Sequence, residues 1–419
     1  MKSTFLFFIP LLIVLGALSC KKKHDDTATG PSLDNQFLNT YADIAYSSYN
    51  ESKMYANALK TAVDNFTANP NAEGLIACKD AYKMARLAYL QTEVFRGVDG
   101  PIDNEDGAPE SWINSWPLNE GNIDFMFDPT KNSNQDTNKV NGKLDGIIND
   151  PTQTITKEGL LGIYLDKNSP DDDIPTGYHA IEFLLWGQDI YAGGPGQRPY
   201  TDYLIGEGAT APNGDRRKTY LSICADLLVE NLQTVLSDWD PAVSGNYRAD
   251  LLNSDASNVN SRLKTIVSGM TKMSKNEFGT QRILNGLSTG NQEEEHSCFS
   301  DLTPMDFRYD VVGYDNVIEG RHTLQTGVLS VSGVGLKQLI AKYSGDDAQK
   351  VQLGLDSMNT TSIQSYNLVT PYDQIILNPN TPEWTIEYQM AYSWVQLSDA
   401  LNLASQAMGF GVVDTTPTE

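Results

Sequence analysis

Gly177-Tyr178-His179-Ala180-Ile181-Glu182-Phe183-Leu184-Leu185-Trp186-Gly187 is the stretch on which the reading of this chain turns. Pro175 and Thr176 suit a helix start, and Gly187 suits a helix end. The apolar residues between them fall on every side, and a helix apolar all round is a buried one. Only His179 and Glu182 can carry charge in it near neutral pH; three residues apart, they share a face, which Trp186 continues. A carboxylate in such a segment is very costly unless paired, protonated or bound to a metal. One imidazole nitrogen and one carboxylate aimed the same way from a rigid helix make half of a metal site. The plainer alternative is a pair satisfied within the fold, bonding each other or an arginine of another helix.

The sequence around this stretch reads as helix. Over 33–66, Phe37, Tyr41, Ile44 and Ser48, then Tyr55, Leu59, Ala62 and Phe66, recur at threes and fours. Asn69-Pro70-Asn71 is a turn, and a second helix is predicted over 72–95. Short loops of this kind favour antiparallel neighbours in a bundle. Residues 97–151 are rich in Gly, Pro, Asn and Asp, with Trp112, Trp116 and Phe125 interspersed, and predict a long irregular excursion. Apolar character resumes over 156–165, and Asp171-Asp172-Asp173 suits the start of the central helix electrostatically. Tyr191-Ala192-Gly193-Gly194-Pro195-Gly196 breaks the pattern. Further helices are predicted over 216–239, 258–287, 307–321, 335–343, 346–366 and 384–408, with 328–334 as the main strand candidate. The expected fold is all-α, with two packed helical-bundle domains at 34–205 and 206–412, the irregular excursion in the first, and a disordered tail at 413–419.

A chain of 419 residues is long enough for two ordinary domains with ample core. Its 30 basic and 54 acidic side chains leave a net charge of −24, which argues against nucleic acid and anionic membrane surfaces as partners. Residues 1–19 read as an export signal: Lys2 is followed by an apolar run over 5–18, too short for a comfortable membrane span. The run ends at Gly16-Ala17-Leu18-Ser19-Cys20, which resembles a bacterial lipobox, with Ala17 where leucine is usual. Cys20 is then the lipidated residue, 20–33 a tether, and the lipid anchor the only contact with membrane. Cys78, Cys224 and Cys298 can form at most one bridge, and no CxxC pair suggests a zinc ribbon or redox centre.

The string from Gly177 to Gly187 also resembles the GxHxxE signature of the imelysin-like family, envelope proteins linked to iron uptake and once classed as metallopeptidases. Three further stretches fit, in the expected order. Gln91-Thr92-Glu93-Val94-Phe95-Arg96-Gly97 leads into Gly100-Pro101-Ile102-Asp103 and Asn114-Ser115-Trp116-Pro117-Leu118; Arg282-Ile283-Leu284-Asn285-Gly286-Leu287 and Glu293-Glu294-Glu295-His296-Ser297-Cys298-Phe299-Ser300-Asp301 follow. The resemblance implies one pocket between two bundles, with His179 and Glu182 as metal ligands, Glu93 and His296 as further ligands, Arg96 orienting a carboxylate, and Ser297 and Asp301 alongside. Read alone, Glu93 and Arg96 would be a surface ion pair worth ~0.3–0.5 kcal/mol. The implied cargo is a metal ion, iron or zinc, or an iron-carrying ligand, handled with envelope transport partners in iron uptake. The implied location is the bacterial cell envelope, on the periplasmic side or the cell surface.

One departure stands out. Many relatives continue after Ser300-Asp301 with Asn-Thr-His and an Arg-Asp pair; here Leu302-Thr303-Pro304-Met305-Asp306 follows, and a potential ligand histidine is replaced by proline. His322 could substitute, but it is expected rather to pack against a tyrosine or Glu319. A metal-dependent peptidase is the second reading, ranked lower because the chain has no HExxH or HxxEH. The third is a polysaccharide- or protein-binding surface module using Trp112 and Trp116.

Overall fold

Helix α1, Leu33–Ala68, starts where the Ser32 hydroxyl accepts the Asn35 amide at 3.2 Å, an N-cap that satisfies an otherwise orphaned donor. It buries Phe37, Tyr41, Ile44, Tyr49, Leu59, Val63 and Phe66 along one face. The computed structural model describes residues 31–104, 108–125, 139–140, 143–144, 146–164, 174–191, 193–253 and 258–416. The export signal, Cys20, most of the tether and Asp171-Asp172-Asp173 lie outside the described residues.

Helix α2, Ala72–Leu90, is capped by Asn71, whose side chain accepts the Gly74 amide at 2.8 Å, and packs against α1. The expected helix over 72–95 stops at Leu90 because the Thr92 amide and hydroxyl both turn back onto the Tyr89 carbonyl, at 2.7 and 2.6 Å. A single 3₁₀ turn, Glu93–Phe95, follows, with Glu93 fully inside. The excursion holds α3, Glu110–Asn114, a 3₁₀ turn at Glu120–Asn122, and a short strand pair, β1 Lys139–Val140 and β2 Lys143–Leu144. Helix α4, Lys157–Tyr164, and α5, Gly177–Trp186, come next; all ten residues of α5 are buried.

Helix α6, Gly214–Trp239, packs against α1 and α5 through Tyr220, Leu221, Leu228 and Leu232. The expected division at 205 falls shortly before α6, the helix that packs against both α1 and α5. Helix α7 is Tyr247–Leu252. The single helix expected over 258–287 comes in three parts: α8, Val259–Lys272, a π-helical stretch, Met273–Leu284, and α9, Asn285–Thr289. Such π insertions gather at functional sites, and this one carries Arg282.

Helix α10, Thr303–Glu319, leads into a hairpin of β3, Arg321–Thr323, and β4, Leu329–Ser332, paired Arg321 to Ser332. The strand expected over 328–334 is β4; its partner was not legible. Helices α11, Leu336–Ala341, α12, Gly345–Tyr366, α13, Tyr372–Ile376, and α14, Pro382–Ala407, complete the chain, with α12 against α14. The core there is aromatic: Phe278 stacks on Trp394 at 4.6 Å, with Tyr314 edge-on at 5.0 Å. At the expected tail, Val413 is still held, its amide donating to the Asn402 side chain at 2.9 Å. No described helix is long and apolar enough to cross a membrane.

Candidate functional site

The motif helix is placed by its first glycine. Gly177 takes φ +89°, and a Cβ there would lie 2.6 Å from the Ile113 carbonyl, so only glycine lets α5 begin against α3. From this helix His179 Nδ1 lies 3.1 Å from Glu182 Oε2. The other Glu182 oxygen accepts the Ser300 amide at 3.0 Å and the Ser300 hydroxyl at 2.5 Å, and the Tyr82 hydroxyl donates to Oε2 at 3.3 Å. Among the described residues no guanidinium forms an ion pair with His179 or Glu182, although the Arg86 charge is felt by both. Burial pushes the Glu182 carboxyl up to about 8, partly offset by Ser300. Burial, with Arg86 adding to it, holds His179 well below the usual histidine range. At neutral pH the imidazole is uncharged and Glu182 keeps its proton.

His296 faces His179, with ring centroids 5.0 Å apart and planes at 67°. Its Nδ1 lies 2.7 Å from Asp306 Oδ2, an oxygen that also accepts the Ser297 hydroxyl at 2.8 Å. Arg86 grips the same carboxylate through Nε at 3.4 Å and Nη2 at 3.0 Å, and donates through Nη1 to the Asn114 side-chain oxygen Oδ1. Arg86 Nη2 is 3.3 Å from His296 Nδ1, but a guanidinium only donates, so the closer Asp306 sets the imidazole N–H at Nδ1. Burial, with Arg282 and Arg86, keeps His296 well below the usual range and so neutral. Trp116 packs on its ring at 5.3 Å and donates to the Glu295 carbonyl at 3.3 Å.

Nε2 of His179 and Nε2 of His296 are both buried and make no hydrogen bond. Two such orphans in one contact are unusual in a folded interior, where buried polar atoms are satisfied. Against His179 lies a cavity of about 20 Å³, lined also by Trp116, Glu120, Cys298 and Phe299. That volume holds a single water-sized occupant. Burial raises Glu120 on its wall to about 7 and holds the Cys298 thiol well above its ordinary value.

Glu93 is buried among polar partners. Asn114 donates to Oε1 at 2.9 Å, Arg282 pairs with Oε2, and Arg96 lies 3.6 Å from Oε1. Arg96 also reaches Glu110 at 3.2 Å and Glu277 at 3.6 Å, and Arg282 reaches Asp310 at 3.1 Å. Glu93 and Arg96 thus belong to a buried ion network, not to an exposed pair. Ser297 supports Asp306. Asp301 points elsewhere, with Glu295 and Asp373, and their ligand oxygens all lie within 4.8 Å of one another. His322 sits on β3, bonded through Nδ1 to Ser47 at 2.9 Å and Ser330 at 3.0 Å, with Glu51 3.7 Å from Nε2, and does not replace the missing histidine. Cys78, Cys224 and Cys298 are free thiols.

Arg86, Asn114, Asp306 and Asp373 were missed as site residues. Arg86 alone gave a signal, a charge among Tyr82, Ala85 and Tyr89 on α2. Asp306 read as part of a divergent run, although Pro304 only opens α10 and leaves Asp306 buried in its first turn.

The Imelysin family model matches residues 45–383. Iron-regulated protein A of Synechococcus elongatus is 24% identical over 300 residues, which cover 70% of this chain and 66% of that protein. A structure assigned to an iron-regulated protein A precursor of Parabacteroides distasonis superposes with a TM-score of 0.65 at 15% identity, covering 91% of this chain and 97% of that one. An imelysin-like protein of Psychrobacter arcticum does so with a TM-score of 0.55 at 10% identity, covering 91% and 98%. These two likenesses carry the all-helical fold, and the match over most of the chain carries the kinship: this protein belongs to the imelysin family.

Proposed function

We propose that this protein is a lipid-anchored envelope protein of iron acquisition that binds one metal ion between His179 and His296. The observation that carries the proposal is the pair of buried Nε2 atoms without a hydrogen bond, each ring fixed at Nδ1 by a carboxyl group. Neutral imidazoles oriented by acids are the usual way a protein presents nitrogen to a metal. Imidazole suits iron or zinc, and the iron connection rests on the names of the relatives. In this reading Glu182 orients His179 and manages its proton, while Glu93 and Arg96 stiffen the floor. The cavity against His179, whose wall does not include His296, admits one water-sized occupant, which favours a bare ion over an iron-carrying ligand.

Titration of chelator-treated protein with Zn²⁺, and with Fe²⁺ under anaerobic conditions, tests this. One equivalent is expected to bind, with His179→Ala and His296→Ala each at least ~10-fold weaker. Equal binding by all three proteins removes the ligand assignment. Fatty-acid labelling that persists in Cys20→Ser would remove the anchor.

A further inference from the structure

A second cluster lies on the other side of the loop that carries His296. Glu295 opens that loop, Asp301 closes it, and Asp373 comes from α13. One oxygen of each lies within 4.8 Å of the others. Acidic groups often gather without a ligand, but Glu295 sets this cluster apart. Its side chain is 0% exposed, it extends into the cluster, and neither of its oxygens has a partner within full hydrogen-bonding geometry. Among the described residues, the Thr303 side chain is the one donor close enough to ease the charge on Glu295. Asp373 is 3% exposed; its Oδ1 is likewise unpartnered, and its Oδ2 accepts only from the neighbouring Gln374 side chain at 2.5 Å. Asp301 Oδ1 is buried and unpartnered.

No lysine, arginine or histidine forms an ion pair with any of the three among the described residues. The further groups that act on Asp301, Asp189 and Glu182, are also acidic, and Asp189 accepts from Gln292 at 2.8 Å. A buried carboxylate needs a counter-charge, a proton or a metal. Three converging carboxylates offer oxygen donors and no nitrogen or sulfur, the chemistry of a hard divalent cation.

We propose that Glu295, Asp301 and Asp373 bind a hard divalent cation of the Ca²⁺, Mg²⁺ or Mn²⁺ class, at a site separate from the histidine pair. Bound there, the ion clamps the 295–301 loop to α13. The same loop presents His296 to His179 and Ser300 to Glu182 from its other face. The cation therefore holds the histidine site in register.

The test uses chelator-treated full-length protein titrated separately with Ca²⁺, Mg²⁺ and Mn²⁺, followed by calorimetry and thermal unfolding. At least one of the three ions is expected to bind with one equivalent and to raise the unfolding temperature. Asp373→Asn and Asp301→Asn should each weaken binding at least tenfold, while His179→Ala leaves it unchanged, which separates this site from the first. Asn tolerates the left-handed φ of +56° at Asp301, so that variant keeps the test open should Asp373→Asn not fold. No stoichiometric binding of any of the three ions to folded protein, or binding unaltered in both variants, overturns the proposal and leaves shared protons as the counter-charge.

Discussion

His179 and His296 come from segments more than a hundred residues apart, yet their rings meet at 5.0 Å, and in each the Nδ1 turns onto a carboxyl while Nε2 is left over. Both rings are held at Nδ1 with Nε2 spared, although His296 donates there while His179 accepts, and together they amount to a half-built coordination sphere. Each prediction below follows from that relationship or from what supports it.

Metal binding should release a proton. Glu182, raised to about 8, donates to His179 Nδ1 and leaves a proton on Nε2. An ion on Nε2 displaces that proton, and the one left is shared between Nδ1 and Glu182. About one proton per ion should leave below about pH 8 and fewer above it. Calorimetry in buffers of different ionisation enthalpy reads this directly, and no buffer dependence would contradict it.

Without metal, stability should fall as the pH rises past neutrality. Burial lifts Glu182 to about 8, and Glu120, Asp301 and Glu387 to about 7. Each keeps its proton in the folded chain at a pH where the unfolded chain has lost it, so the stability these groups confer drains away between about pH 5 and about 8. His179 and His296 are depressed, and their effect appears only as the pH drops below about 6.5. The unfolding temperature of chelated protein should therefore decline from about pH 6.5 to about 8.5, less steeply in Glu182→Gln. A flat or rising profile would contradict this.

Arg86→Met should lower stability by about 3–5 kcal/mol, because it leaves Asp306 charged and fully buried. Denaturant unfolding measures it. Asp306→Asn in the same chain should recover part of the loss, since the orphaned charge is then gone. A loss below about 1 kcal/mol for Arg86→Met would mean that the pair is not buried as described.

Gly177→Ala should destabilise the fold by about 1–3 kcal/mol through its left-handed φ. It should also weaken metal binding, since a Cβ pressed against the Ile113 carbonyl tilts the helix that holds His179. Unchanged affinity would show that α5 tolerates the shift.

Glu93→Gln separates a ligand from a support. If Glu93 only answers Arg282 and Arg96, the variant keeps one equivalent of metal at near wild-type affinity and loses stability. Loss of metal without loss of stability would return Glu93 to the coordination sphere.

The central helix was legible because ten successive buried residues leave only one workable assignment, and the two polar side chains among them had to meet something. Helix α1 and the 3–4 spacing of its core were equally plain. The partners were not. Asp306 reaches Arg86 across 220 residues, and nothing local to either reports a contact at that distance. The break at Leu90 escaped notice because it depends on one threonine turning back on the Tyr89 carbonyl, against a run whose periodicity continues. The acidic cluster was half visible: Glu295 and Asp301 lie in one quoted stretch, but the third member comes from a five-residue helix between two prolines, too short to show a period.

The most direct test is anomalous diffraction from crystals loaded with Zn²⁺ or Fe²⁺. One peak is expected about 2.0–2.2 Å from Nε2 of both His179 and His296, with neither Nδ1 approached. A peak on the Glu93 network instead, or none at the histidine pair in folded, loaded protein, would contradict the assignment.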